Sequence, residues 1–174
     1  MNKPLEIEYK YLIKYPDTDT LKDQPDYKKE VMCQMYLLLP DEKGNKTKKC
    51  RIRRVERDNE VRYIKTFKET IMDLTRIEIE TEISEEEYND LSKFINPDTF
   101  PINKERHSFS LLGFTYEIDI FPFWQDRAYL EVEVESEDIK PPIPDFIRVI
   151  KDVSFDKRYR NSALAANIIL EPIE

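Results

Sequence analysis

The chain has 174 residues, enough for one domain that buries roughly two thirds of its unfolded surface. Charged residues make up 37% and hydrophobic ones 40%, which leaves room for a core and argues against disorder, while a formal charge of -8 argues against a general nucleic-acid binder. There is no apolar run of membrane-span length and no signal-like start at Met1 to Leu5, so a soluble, cytoplasmic protein without a membrane partner is expected.

Cys33 and Cys50 lack metal-type spacing and His107 is the only histidine, so neither a zinc site nor a histidine triad can be assembled. Two reduced thiols are expected. Any chemistry falls to Asp, Glu, Lys, Arg and Tyr together with a hard cation.

The first predicted strand is Glu6-Ile7-Glu8-Tyr9-Lys10, whose alternation puts Glu6, Glu8 and Lys10 on one face. Turn residues at 15–20 and 23–26 flank a short polar or helical excursion. Val31 to Leu39 is β-rich and ends at a hairpin connection over 40–46. The returning strand, Lys49 to Glu56, places Arg51 and Arg53 on a common face. Asp58-Asn59-Glu60 is a tight turn into Val61 to Lys68, where neither face is plainly apolar and the inward lysine, Lys65 or Lys68, stays open.

Arg76 to Glu82 carries Glu78 and Glu80 in the same alternation, and Ser84 with Glu87 forms a capping box for a helix bearing Tyr88, Leu91, Phe94 and Ile95. Ile102 to Leu112, with Lys104 and Arg106, turns at Gly113 into Phe114 to Phe121, which carries Glu117 and Asp119. Ala128 to Glu135 adds Glu131 and Glu133. Phe146, Ile147, Val149, Ile150 and Val153 read as an amphipathic helix, and 156–165 as a short closing helix.

About eight successive strands and a few short helices imply an α+β domain over 1–174, an eight-stranded antiparallel barrel with room for one small ligand. Acid and base recur on the same strand faces, so the charged face should surround something multiply charged. Glu6, Glu8, Glu131 and Glu133, with Asp119, would supply oxygens to a hard cation such as Mg²⁺ or Mn²⁺. Arg51, Arg53, Lys68 and Arg106 would hold phosphate oxygens. A linear polyphosphate bridged to the cation satisfies both halves.

The same residues carry a family resemblance. Glu6-Ile7-Glu8-Tyr9-Lys10 matches the ExExK signature of the CYTH superfamily, the triphosphate tunnel metalloenzymes. Gln34-Met35-Tyr36-Leu37, Arg51-Ile52-Arg53, Thr66-Phe67-Lys68, Arg76-Ile77-Glu78-Ile79-Glu80, Glu117-Ile118-Asp119 and Glu131-Val132-Glu133 resemble its later motifs in order, and 156–164 resembles the ending of its short bacterial members.

The resemblance implies a metal-dependent tunnel that binds a triphosphate-containing small molecule, with Lys10 beside the attacked phosphorus as the catalytic candidate. Arg76 joins the substrate-binding set or bridges tunnel acids, and Glu78 and Glu80 lie in the metal or water shell. Arg158, Tyr159 and Asn161 would fix the terminal helix over a tunnel mouth, with Arg158 reaching phosphate as the alternative. A triphosphatase is the leading expectation, a class IV-type adenylyl cyclase and a non-catalytic polyphosphate or nucleotide binder are the alternatives, and a homodimer is left open. Neutralising Glu8 or Glu131 is expected to abolish activity and leave the fold intact or stabilised.

Overall fold

The computed structural model describes residues 5–173, so the outermost positions of the expected 1–174 domain, 1–4 and 174, lie outside the described residues. Strands form where the alternation predicts them: β1 Leu5–Lys14, β2 Lys28–Pro40, β3 Lys46–Arg57, β4 Glu60–Thr70, β5 Thr75–Ile83, β6 Ile102–Leu111, β7 Phe114–Ile120 and β8 Arg127–Glu133. Two short helices, α1 (Thr18–Lys22) and α2 (Glu85–Ser92), fall between them.

The connections follow from turn chemistry. Asp58 and Asn59 take left-handed backbone, φ 52 and 65, and join β3 to β4 directly. Short polar side chains tolerate that region, which is why this turn works without glycine. Leu112 and Gly113, φ 54 and 80, do the same between β6 and β7. Between β2 and β3 the Asp41 carboxylate accepts from the backbone N–H of Lys43 at 2.9 Å and of Asn45 at 2.8 Å. Ser84 caps α2 as the sequence implies, its Oγ accepting from the Glu87 N–H at 3.1 Å.

Eight strands close into an antiparallel ring in the order β5-β4-β3-β2-β6-β7-β8-β1, with β1 returning to β5. That last joint is thin. It consists of Leu5 opposite Ile77, Glu6 opposite Arg76 and Ile7 opposite Thr75. The side chain of Glu137 stitches it, accepting from Thr75 Oγ1 at 2.6 Å, while its carbonyl accepts from the Tyr9 hydroxyl at 2.6 Å.

The stretch 146–153 corrects the sequence reading. Val149–Asp152 is a ninth strand, β9, paired antiparallel with Tyr11 to Ile13 of β1 on the edge that β5 has left. Backbone bonds from Lys14 N to Arg148 O and from Val153 N to Lys10 O, both 2.9 Å, extend the joint. The physical reason is that β1 would otherwise expose an unpaired edge, and one short strand satisfies it. The expected closing helix is a 3-10 turn at Lys157–Tyr159 followed by one helical turn, α3 (Asn161–Leu164).

Apolar side chains pack mainly on the outer surface of the wall. Tyr9, Tyr11, Ile13, Ile118, Leu130 and Val132 belong to one cluster, with Leu21 of α1 and Ile147 against it. Leu37, Cys50, Ile52 and Ile83 pack with Tyr88 of α2 in a second. A third uses inward positions: Leu12, Ile102, Phe121 and Tyr129 meet Val153, Tyr159 and Leu164 and close off one end of the lumen. His107 is buried beneath the outer surface, its Nδ1 2.8 Å from the Tyr27 hydroxyl.

Candidate active site

Alternation along the closed wall turns one face of every barrel strand into a lumen. Glu6, Glu8, Lys10, Arg51, Arg53, Lys68, Arg76, Glu78, Glu80, Arg106, Glu131 and Glu133 all open onto one cavity of about 900 Å³. Among the described residues nine basic and nine acidic side chains line it, and Tyr36 is the sole aromatic. Lys68 rather than Lys65 faces inward. Lys65 points out to α2, where its Nζ lies 2.7 Å from Glu87.

Two charge networks occupy the lumen. In the first, Lys10 Nζ is 3.0 Å from Glu131 and 4.2 Å from the centre of the Tyr129 ring. Arg106 reaches Glu131 at 3.2 Å, pairs with Glu117, and clamps Asp119 through Nε and Nη2 at 2.7 and 2.9 Å. Burial alone would raise the Glu131 carboxyl, but Lys10, Arg106 and Lys104 hold it well below the usual carboxylate range. Burial lowers the Lys104 ammonium to about 8 in spite of Asp119.

Asp119 is the one expected metal ligand that the wall does not bring to the cavity. Its carboxylate is fully buried, held by Arg106 and by Lys104 at 2.6 Å. With both oxygens engaged by cations behind the lining, it serves as the anchor of Arg106. The expectation for Glu131→Gln changes for a similar reason. Glu131 is the carboxylate partner of the buried Lys10, while Arg106 keeps Glu117 and Asp119, so neutralising Glu131 strands Lys10 and costs stability.

The second network spans β3, β4, β5 and β1. Arg53 Nη2 lies 2.8 Å from Glu80, Arg51 Nη2 3.4 Å from Glu78, and Lys68 Nζ 3.0 Å from both Glu6 and Glu78. Arg76 approaches Glu8 at 3.7 Å. The Nε atoms of Arg51, Arg53 and Arg76 are buried with no partner. Each is a donor that an incoming anion could satisfy, since an unpaired buried donor is costly.

Burial, the hydrogen bond to Glu78 and the Glu8 charge push Glu6 up to about 8, and burial with Glu131 pushes Glu8 up to about 7. Among the described residues no three His, Cys, Asp or Glu groups stand together as a ready cation cage. Lysines and arginines separate the acids. Glu6 and Glu8 are nevertheless crowded oxygen donors whose ionised forms Lys68 and Arg76 offset only in part, and that donor chemistry fits a hard divalent ion.

The alternation, carried further along the strands, would have found two residues missed in the sequence. Glu30, in step with Gln34 and Tyr36, lines the cavity and lies 3.8 Å from Arg62, itself in step with Lys68. Arg160 carries no periodic signal, yet lines the cavity from the junction between the 3-10 turn and α3. Arg158 turns away to Asp156 at 2.8 Å and is largely exposed.

A closed barrel whose lumen combines orphaned guanidinium donors with crowded carboxylates defines a container for a linear polyanion and its counter-cations. Residues 4–143 match the CYTH domain family. The chain belongs to that family.

An inorganic triphosphatase from Acetivibrio thermocellus is 33% identical over 115 residues, covering 66% of this chain and 71% of the relative. A solved structure described as an inorganic triphosphatase is 26% identical with a TM-score of 0.54, covering 94% of this chain and 95% of that one. A protein from Pyrococcus horikoshii, 22% identical with a TM-score of 0.57 over 76% of this chain and 80% of its own, shares the fold. Among the described residues no helix is long and apolar enough to cross a membrane.

Proposed function

We propose that the chain is a metal-dependent triphosphatase that hydrolyses inorganic tripolyphosphate or a related triphosphate, water attacking a terminal phosphorus as the bridging P–O bond breaks. The observation that carries this reading is the lumen itself, where bases and acids are balanced in number and the buried Nε donors of three arginines lack partners. A triphosphate alone would leave the lumen strongly negative; one that arrives with divalent cations would not. The relatives described as inorganic triphosphatases support it.

In this reading Arg51, Arg53, Lys68, Arg76 and Arg106 grip phosphate oxygens, the arginines as bidentate donors. Lys10, held beside Glu131, contacts the attacked phosphoryl group or orients the water. Glu6, Glu8 and Glu133 would hold Mg²⁺ or Mn²⁺, with Glu131 shared between cation and bases and Glu78 and Glu80 in the surrounding water shell. Bound there, the cation would neutralise charge on the phosphoryl oxygens. The same reading takes the protein as a cytoplasmic single-domain enzyme of 1–174 without a nucleic-acid partner.

The lining also favours hydrolysis over cyclisation. A cyclase must seat a purine, and Tyr36 is the only aromatic side chain the described lining offers. Orthophosphate release from tripolyphosphate, measured beside cyclic AMP formation from ATP in Mg²⁺ and in Mn²⁺, tests the proposal. Orthophosphate without cyclic AMP is expected; cyclic AMP as the main product would replace this reading with the cyclase, and tight binding without product would replace it with a sensor.

A further inference from the structure

Lys10 is held by two contacts rather than one. Its ammonium lies 3.0 Å from Glu131 and 4.2 Å from the centre of the Tyr129 ring, and its side chain is only 11% exposed. Both partners come from β8. Lys10 stands opposite Glu131 and Leu12 opposite Tyr129, so the ring is the diagonal neighbour of Lys10 on the inward face. Lys10 and Glu131 open onto the cavity, whereas Tyr129 is fully buried in the apolar cluster that closes one end of the lumen.

The ring is fixed by its own surroundings. Phe121 and Trp124 meet it nearly at right angles, with centroids 5.4 and 5.1 Å away, and Tyr159 of the 3-10 turn approaches at 6.3 Å. Two segments distant in sequence, the loop after β7 and the C-terminal turn, therefore hold one aromatic face against the Lys10 ammonium. The Tyr129 hydroxyl is buried with no partner among the described residues, and burial with the Glu131 charge pushes it above the ordinary phenol range, so the side chain stays neutral. What it offers Lys10 is the negative face of its π-system, which attracts a desolvated ammonium.

The two contacts differ in what can take them away. Glu131 has oxygens, which a hard cation seeks, and in the proposed reading it is shared between cation and bases. An aromatic face gives no oxygen to compete for. Once a cation draws on Glu131, a flexible four-carbon side chain with no second hold would be free to swing. We infer that Tyr129 is a positioning residue whose ring keeps the Lys10 ammonium in place on the cavity wall while Glu131 is engaged by the cation.

The inference deepens the triphosphatase reading and rests on it for the role of Lys10. Its effect falls on kcat rather than KM, because Lys10 in that role acts on the phosphoryl group in transfer and not on the bound chain as a whole. Tyr129→Leu is expected to lower kcat on tripolyphosphate with Mg²⁺ by about tenfold and to leave KM within about twofold. Tyr129→Phe, which restores the ring without the hydroxyl, should recover the rate. Replacing Tyr129 by phenylalanines with successive ring fluorines drains the π-face while keeping the ring, so kcat should fall step by step at unchanged Tm.

A flat fluorine series, or equal losses in the Phe and Leu variants, would overturn the inference. Where Tyr129→Leu melts early, the fluorinated series decides alone. Proton NMR of the Lys10 Cε methylene separates the contact from the hydrolase reading. The Tyr129 ring current should shift this signal upfield in the metal-free protein and after Mg²⁺ is added, and Tyr129→Leu should abolish the shift. If that pattern appears without hydrolysis of tripolyphosphate, the contact stands and the hydrolase does not. Loss of the shift on adding Mg²⁺ overturns the positioning role whatever the turnover.

Discussion

Replacing Glu8 by Gln should remove activity and stabilise the metal-free protein, but only above the acid range. Burial and the neighbouring Glu131 raise the Glu8 carboxyl from 4.5 to about 7. The folded form therefore binds a proton that the unfolded chain has already released. Stability is fully present below about pH 4.5 and is lost as the pH climbs through 7.

The side chain is 13% exposed, so solvent discounts the effect little, and a rise of this size corresponds to a ceiling of ~3 kcal/mol at pH 8. Gln keeps the shape, avoids the charge, and gives up only the long 3.7 Å contact with Arg76. Urea or thermal unfolding in a chelator, at pH 5 and pH 8, measures it. The two proteins should nearly coincide at pH 5 and differ by roughly 5–10 °C in Tm at pH 8, the variant melting higher. A gap of the same size at both pH values, or a variant that melts lower at pH 8, would refute the reasoning.

Three further outcomes are expected. Lys68→Ala should lower kcat/KM on tripolyphosphate by at least about tenfold, whereas Lys65→Ala, which breaks only the outer pair with Glu87, should leave kinetics unchanged and cost at most ~1 kcal/mol. Lys104→Met leaves the buried Asp119 carboxylate short of a partner and should lower unfolding free energy by about 3–5 kcal/mol in urea titration. Leu112→Asn should raise Tm by roughly 2–4 °C, because Leu112 is 60% exposed at φ 54, where Asn is tolerated and leucine is strained.

Most of the barrel and its lining were legible because strand alternation is a local property. Glu6, Glu8 and Lys10 on one side and Ile7 and Tyr9 on the other needed nothing beyond a period of two. Where both sides of a strand are covered the period says less. On β4, Lys65 meets α2 and Lys68 meets Glu6, so both faces carry charge and only the closed ring tells them apart.

Asp119 shares the alternation of the lining, but its place behind Arg106 depends on the pairing of β6 with β7, which the sequence does not print. Phe146 to Val153 failed differently. Its apolar spacing suits a helix, and what decides for a strand is the vacant edge of β1, a residue range far away in sequence. Arg160 sits in a segment of turns with no period at all, so only the folded chain brings it to the cavity.

Much of the cohesion of this wall comes from its back. With Tyr9, Ile118, Leu130 and Ile52 packed outward, many charged positions inside stand apart from the apolar packing that holds the fold. Such a scaffold can change its guest by exchanging interior ions one at a time, each exchange altering what is admitted while the shell still assembles. Selection, natural or in the laboratory, can therefore explore new anions here with few casualties, provided it leaves the sealed pair of Lys104 and Asp119 and the pair of Lys10 and Glu131 alone.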